Sequence, residues 1–466
     1  MRLPRSVKGS LSEILARLVL AISPDRTPDE VVQKAKALFL DWLGCAIAGT
    51  MIEEGRAFLH LASNRADSDK ATVLGLSEKR DPEIAALVNG ALAHATEMDD
   101  SDRVSVIHPG AAVIPAALAV AEERSLPGLD FLMAIIAGYE IAIRIGEAVG
   151  LSHYQIWHST GTCGTFGAAT AAGKLLGLSQ EQMVWALGNA GTQAAGLWQF
   201  HTEGSMSKPL HAGKAAADGM LAANLALLGL QGPKKILEGD KGFFQAMSRD
   251  SRGAAAIADL DPLPSEYKMM RVSIKPYPCC RHTHAAIDAA ISIRRKSPIL
   301  VEKVDRVRVE TYGTALDLTD NPFPATPNRA RFSLQYCVAC ALLKGSVTLS
   351  DFRPEIVAVE SAKQKQLLSK VQVVLSPEIE SAYPEKWGAR VTLFMRDGTA
   401  LSDMVAQPTG DPERPMSQRE LLTKFEQLIH ETKYCGHRAL LTSTIGRLET
   451  VTSMSQFFPE LRMSRN

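Results

Sequence analysis

The residues best suited to chemistry crowd into one stretch, from Asn89 to Pro109. Between His94 and His108 it holds two imidazoles, the carboxylates of Glu97, Asp99 and Asp100, and the Ser101 hydroxyl. One apolar helical run precedes it and another follows. Carboxylates packed this closely at a helix end repel one another. A cation, a basic partner strand or a proton held at raised pKa must offset that cost. A catalytic or ligand-orienting loop meets this description, and so does a solvated acidic turn between two helices. Local chemistry leaves both readings open.

Two further groups stand just before or at helix starts. His158 precedes a run in which Gly161, Gly164 and Gly167 recur every three residues. That spacing lets helices approach closely; it is not a GxGxxG loop after a strand. His158 is either a buried capping residue or a group pointing into a cleft beside free N–H groups. Lys208, in Lys208-Pro209-Leu210-His211, opposes the helix dipole, and it would reinforce an anion site at that helix start. Glu140 and Arg144, four apart on an apolar helix, read as a structural ion pair.

The elements that must hold these groups are mostly helices. Ser10 and Glu13 fit a capping box. Thr27-Pro28-Asp29-Glu30 starts a helix running to about Ala48, with Thr27 as the expected cap. Asp81-Pro82-Glu83 starts the helix that delivers the acidic stretch. The character changes near Arg271. Val272–Pro278 reads as a strand with a Pro-rich end, and Val304–Tyr312 and Lys370–Ser376 read as further strands. Thr326-Pro327 starts a helix bearing Tyr336. Ala389–Val405 reads as a hairpin through Asp397-Gly398. Ser417-x-x-Glu420 restarts helix to the C-terminus. The expected architecture is mainly α: a large helical domain over 1–270 and 413–466, with an α+β domain inserted at 271–412.

Composition narrows the function. The 466 residues carry 46% hydrophobic residues, enough for a sizeable core, and 51 basic against 51 acidic side chains. A chain with no net charge lacks the excess positive charge of a general nucleic-acid or acidic-membrane binder. No apolar run reaches the ~20 residues needed to span a bilayer. The Met1–Arg5 start is basic, but an amphipathic helix follows it, so the expected location is cytoplasmic. Seven cysteines, an odd number, do not suit a secreted disulfide framework. Cys337 and Cys340 lie in an apolar helical run, where Cys acts as a small hydrophobe, and no metal site is expected.

In order and spacing, five motifs resemble the MmgE/PrpD family. They are Asn89-Gly-x3-His94-x2-Glu97-x-Asp99-Asp100-Ser101 ending in His108-Pro109; His158 before a Gly/Ala helix; Lys208-Pro209-Leu210-His211-x-Gly213; Lys275-Pro276-Tyr277-Pro278-Cys279-Cys280 with His284; and Ser333-Leu334-Gln335-Tyr336. The resemblance spans essentially the whole chain. It implies a homodimer whose inserted domain acts as a lid over the site. It also implies a small polycarboxylate substrate and no metal or organic cofactor. The family includes 2-methylcitrate dehydratases, cis-aconitate decarboxylases and an iminodisuccinate epimerase. The pocket positions it implies are Glu97, Ser101, His108, His158, Lys208, Lys275 and Tyr336. Three departures stand out: Glu97 where Asp is commoner, a loop from Ser101 to His108 one residue longer than in the decarboxylases, and Cys280 where those enzymes carry His. They weigh against decarboxylation.

The chemistry expected of these groups is proton transfer next to a carboxylate. Lys208, Lys275 and Arg281 would hold carboxylates. His108, His158 and Tyr336 would move protons. Glu97 and Asp100 would orient a histidine or Lys208, and Cys280 would be a second base in an epimerase. Dehydration is the leading expectation, with epimerisation and decarboxylation as alternatives.

Overall fold

The computed structural model describes residues 9–249, 253–260, 266–296, 298–359 and 361–458. The basic Met1–Arg5 start lies outside them. The chain forms two compact units, Met1–Ser273 with Gln418–Asn466, and Ile274–Ser417. The expected boundaries were 270/271 and 412/413. The protein is mainly α, with a small α+β unit.

In the first unit, helix α1 (Leu11–Ala21) begins at the Ser10/Glu13 capping box, with both reciprocal bonds formed. Helix α2 (Asp29–Gly49) starts one residue later than expected, and Pro28 rather than Thr27 holds the cap position. The Thr27 hydroxyl instead donates back to the Ser23 carbonyl at 2.9 Å. Four long helices frame the chemistry: α3 (Pro82–Ala95), α4 (Pro109–Glu123), α5 (Gly128–Val149) and α6 (Ser159–Leu175). Helix α7 (Lys208–Leu227) packs against α3 and α6. The glycine spacing in α6 is a packing device. A Cβ on Gly167 would sit 2.7 Å from Ala142 Cβ and 2.8 Å from the Gly138 carbonyl, both on α5. Glu140 and Arg144 form the expected pair at 2.8 Å, and Glu140 also accepts from the Met269 N–H.

The second unit carries a four-stranded sheet in the order β2-β1-β3-β4. Strand β1 (Val304–Thr311) runs parallel to β2 (Val371–Leu375) and antiparallel to β3 (Ala389–Met395). Strands β3 and β4 (Ala400–Val405) form the hairpin through Asp397-Gly398. Helices α8 (His284–Lys296) and α9 (Leu334–Lys344) share one apolar core with this sheet. Two readings need correction. Val272–Pro278 is not a regular strand: Ser273 makes a single bridge, to Ser101, and Pro276 and Pro278 lack the N–H groups a ladder needs. The helix capped by Thr326 ends at Arg331, and Ser333 caps a separate helix that bears Tyr336.

After the insertion the chain returns to the first unit as α10 (Gln418–Ile429). Beyond α10 the helix is not continuous: among the described residues, short turns and one helix, Arg438–Gly446, follow. Among the described residues no single helix is long and apolar enough to cross a membrane.

Candidate active site

The acidic stretch is not a solvated turn. Glu97, Asp99, Asp100 and Asp102 are all buried, and each carboxylate is compensated differently. Glu97 pairs with Lys208 from the first turn of α7. Asp99 lies 2.7 Å from Nδ1 of His94, at the end of α3. Asp102 faces Arg271 at 3.6 Å and also accepts from the Ser105 N–H and hydroxyl. Asp100 is offset by a proton. Burial pushes its carboxyl up to about 8, against the Tyr139 hydroxyl and the Gly110 N–H that both donate to it. Gly110 has a steric reason here, since a Cβ would lie 2.5 Å from the Tyr139 hydroxyl and 3.0 Å from the Asp100 carboxylate.

The backbone of this segment is strained at both ends. Glu97 and Val106 adopt left-handed φ values of 54° and 53°. For a side-chain-bearing residue this costs about 1–2 kcal/mol, and a β-branched Val is especially ill suited to it. Such outliers persist where the surroundings over-determine them, commonly at functional sites. The surroundings here are extensive. Ser101 exchanges two backbone bonds with Ser273, at 3.0 and 2.8 Å, and the Asp102 N–H donates to the Ile107 carbonyl.

Four imidazoles gather beside this loop. The His94 ring lies 4.9 Å from that of His108 and 5.4 Å from that of His158, and His158 lies 5.3 Å from His211. Hydrogen bonding fixes two tautomers. Nδ1 of His108 is 2.6 Å from the Asp100 carbonyl, which can only accept, so that nitrogen carries the proton. The Asp99 carboxylate does the same for His94. Both rings therefore present Nε2 as the basic atom. Nδ1 of His158 meets Nδ1 of His211 at 3.2 Å, one donating and one accepting. Burial, reinforced by His94, Lys208, His211 and His108, holds His158 far below its usual value, and burial brings His211 down to about 4. Near neutral pH this pair is uncharged. Trp198 and Phe200, stacked at 5.0 Å, form an apolar wall against His158.

Helix placement gives the cluster its polarity. His108 is the residue before α4, His158 the residue before α6, and Lys208 the first residue of α7. Three helix N-termini thus surround the imidazoles, each equivalent to about half a positive charge. Such an arrangement attracts anions.

His94, Asp99 and His108 also place ligand atoms within 4.8 Å of one another, a spacing that a metal ion could use. Both Nδ1 atoms are already committed to oxygen acceptors, so binding an ion through them would break the bonds that set the tautomers.

The first unit therefore brings together Glu97, Asp100, His108, His158 and Lys208, and Ser101 enters through its paired backbone. The second unit holds the remaining candidates. Lys275 is fully buried, and Cys280 is buried before the Arg281–Thr283 turn. Two expectations change there. Arg281 was expected to grip a substrate carboxylate, but its guanidinium pairs with Asp411 and also meets the Thr409 carbonyl and His284. Tyr336 was expected to move a proton, but it lies in the apolar core with its hydroxyl donating to the Asp351 carbonyl. Neither enters the machinery proposed below. The reading from sequence assigned no role to Asp99, Tyr139, Trp198, Phe200 or His211. His94 and His211 stood inside quoted motifs, which was the available signal.

Comparison with known proteins decides the family. The MmgE/PrpD N-terminal domain matches residues 13–254 and the C-terminal domain matches 277–435. The chain belongs to the MmgE/PrpD family. It is 30% identical to the human cis-aconitate decarboxylase over 89% of this chain and 87% of that protein. It is 28% identical to a cis-aconitate decarboxylase-like protein of Aspergillus oryzae over 96% of each. A 2-methylcitrate dehydratase of Salmonella typhimurium is 23% identical over 80% of this chain and 81% of that protein. Members of this MmgE/PrpD group are thus enzymes, both decarboxylases and dehydratases.

One prediction arises from the Asp100 network. Tyr139→Phe removes a donor from a buried carboxyl, so stability should fall by about 1–3 kcal/mol. Urea unfolding of the two proteins at neutral pH measures it, and an unchanged midpoint would mean that Asp100 does not depend on this bond.

Proposed function

We propose that the protein is a lyase that transfers a proton at a carbon next to a carboxylate of a small tricarboxylate. The observation that carries this is the meeting of Lys208 and three helix N-termini around His108, whose tautomer the Asp100 carbonyl fixes. Cationic and dipolar groups bind the carboxylates and stabilise enolate-like charge. Nε2 of His108 gives or takes the proton. Neutral His158 and His211 orient substrate by hydrogen bonding, and the Trp198–Phe200 wall limits water. No cofactor enters this scheme.

Of the reactions such a site supports, decarboxylation of a cis-aconitate-like acid now stands ahead of dehydration. The higher identity to decarboxylases supports that order, although Glu97, Cys280 and the longer loop had weighed the other way. In decarboxylation of a cis-aconitate-like acid the CH2-bound carboxylate leaves as CO2, its bonding pair forms a new double bond while the old one becomes enolate-like charge, and the carbon next to the remaining carboxylate takes the proton. In dehydration a base takes the α-proton while an acid protonates the leaving hydroxyl. A homodimer is part of the proposal, and a sedimentation mass of one chain would remove it.

The test is proton NMR in heavy water with cis-aconitate, citrate, 2-methylcitrate and iminodisuccinate. Loss of cis-aconitate with a deuterated decarboxylated product supports the leading reading. An unsaturated product from citrate or methylcitrate replaces it with dehydration. Deuterium entering an α-position of iminodisuccinate without net loss replaces it with epimerisation. No product and no exchange with any of the four sinks the proposal.

A further inference from the structure

The segment that returns after the second unit reaches the acidic loop directly. Nζ of Lys424, on α10, donates to the Met98 carbonyl at 2.7 Å and pairs with Asp41 on α2. The Lys424 and Asp41 side chains are 3% and 0% exposed. Apolar contacts dock α10 in place: a Cβ on Gly44 of α2 would meet Leu428 and Phe425 at 3.0 Å.

Met98 stands between two residues already singled out. Glu97 before it holds Lys208 from a left-handed backbone. Asp99 after it holds His94. Fixing the Met98 carbonyl fixes the peptide plane between them. A buried ion pair is a poor way to gain stability, because well-packed apolar residues of similar volume commonly do as well or better. Its use at this carbonyl calls for another reason.

We propose that Lys424, held by Asp41, is a positioning residue for the candidate active site. It locks the Met98 carbonyl so that Glu97 stays on Lys208, Asp99 stays on His94, and the following Asp100 carbonyl stays on His108. Helix α10 thereby sets imidazole tautomers through a carbonyl 326 residues away from Lys424 in sequence. The effect on turnover rests on the function proposed above; the effect on tautomers does not.

The test uses full-length protein labelled with 15N-histidine, in which long-range 1H–15N spectra report which ring nitrogen carries the proton. The wild type should show Nδ1–H forms for His94 and His108. Asp41→Asn/Lys424→Met removes both charges together, so neither is stranded. Its thermal midpoint should stay close to wild type while the two imidazoles become tautomeric mixtures. With any acid the wild type turns over, kcat should fall roughly 100-fold, the scale set by ångström-level misplacement, while KM changes little. Asp41→Leu/Lys424→Met serves if the first variant is insoluble. Wild-type histidine spectra in a folded double variant overturn the proposal, whether or not a substrate is known. Wild-type protein inactive on all four acids sinks the functional reading but leaves the spectral test decisive.

Discussion

Lys208→Met is expected to lower turnover by about 10²–10³-fold, the scale of losing one preorganised group that stabilises developing charge. The same change should also cost stability, because Lys208 and Glu97 are only 9% and 7% exposed at the side chain. Removing one partner of a buried pair destabilises by about 3–5 kcal/mol, since the other charge stays behind in a poorly solvating place. The two effects separate in Glu97→Gln/Lys208→Met. That protein strands no charge at this pair, so its urea midpoint should return most of the way to wild type. Its turnover should not return, because the cation at the α7 N-terminus is still missing. Kinetics on whichever acid is turned over, with unfolding curves for the three proteins, make the comparison. Wild-type kcat/KM in Lys208→Met would remove Lys208 from the machinery.

How much of this was legible beforehand depends on the range of each interaction. The Ser10/Glu13 capping box, the Glu140–Arg144 pair and the Asp397-Gly398 hairpin are local, and their residue types and spacing nearly determine them. The break at Ser333 was hidden because helix-compatible residues stand on both sides of it, Asn328–Arg331 before and Leu334–Leu343 after. Val272–Pro278 alternates like a strand yet forms only one bridge, since pairing needs a partner that the local sequence does not reveal. The site follows the same rule. His108, His158 and Lys208 were visible because each stands at a helix start. The sequence left open whether the acidic loop was solvated or functional. The groups that hold it, Lys208, Tyr139, Arg271 and Lys424, come from distant elements. Left-handed Glu97 and Val106 carry no local signature at all, because neither is Gly or Asn.

His153→Gln and Asp100→Asn should shift the pH dependence of stability in opposite directions. Burial depresses His153 to about 4, against the Met247 carbonyl bond that favours its charged form. The unfolded chain protonates this ring near 6.5 and the folded chain does not, so the unfolded state binds more protons between those values. The group's contribution is therefore present above about 6.5 and lost as pH falls towards 4. His158 behaves in the same sense. Asp100 is the reverse. Burial raises it to about 8, so the folded chain keeps a proton that the unfolded chain releases near 3.8. That contribution is present at acid pH and lost as pH rises from about 4 to about 8. Asp102 and Glu140, also raised by burial, act with Asp100. Within the overlap the two classes cancel in part, so wild-type stability should vary less with pH than either class alone implies. The variants expose each term. Relative to wild type, His153→Gln should gain about 1.4 kcal/mol per pH unit as pH falls from 6.5 to 4. Asp100→Asn, which keeps an acceptor for Tyr139, should gain at a similar rate as pH rises from 4 to 8. Urea midpoints at unit steps from pH 4 to 8 measure both slopes. Parallel curves for Asp100→Asn and wild type would mean that the folded protein does not hold the Asp100 proton, and that a cation balances this carboxylate instead.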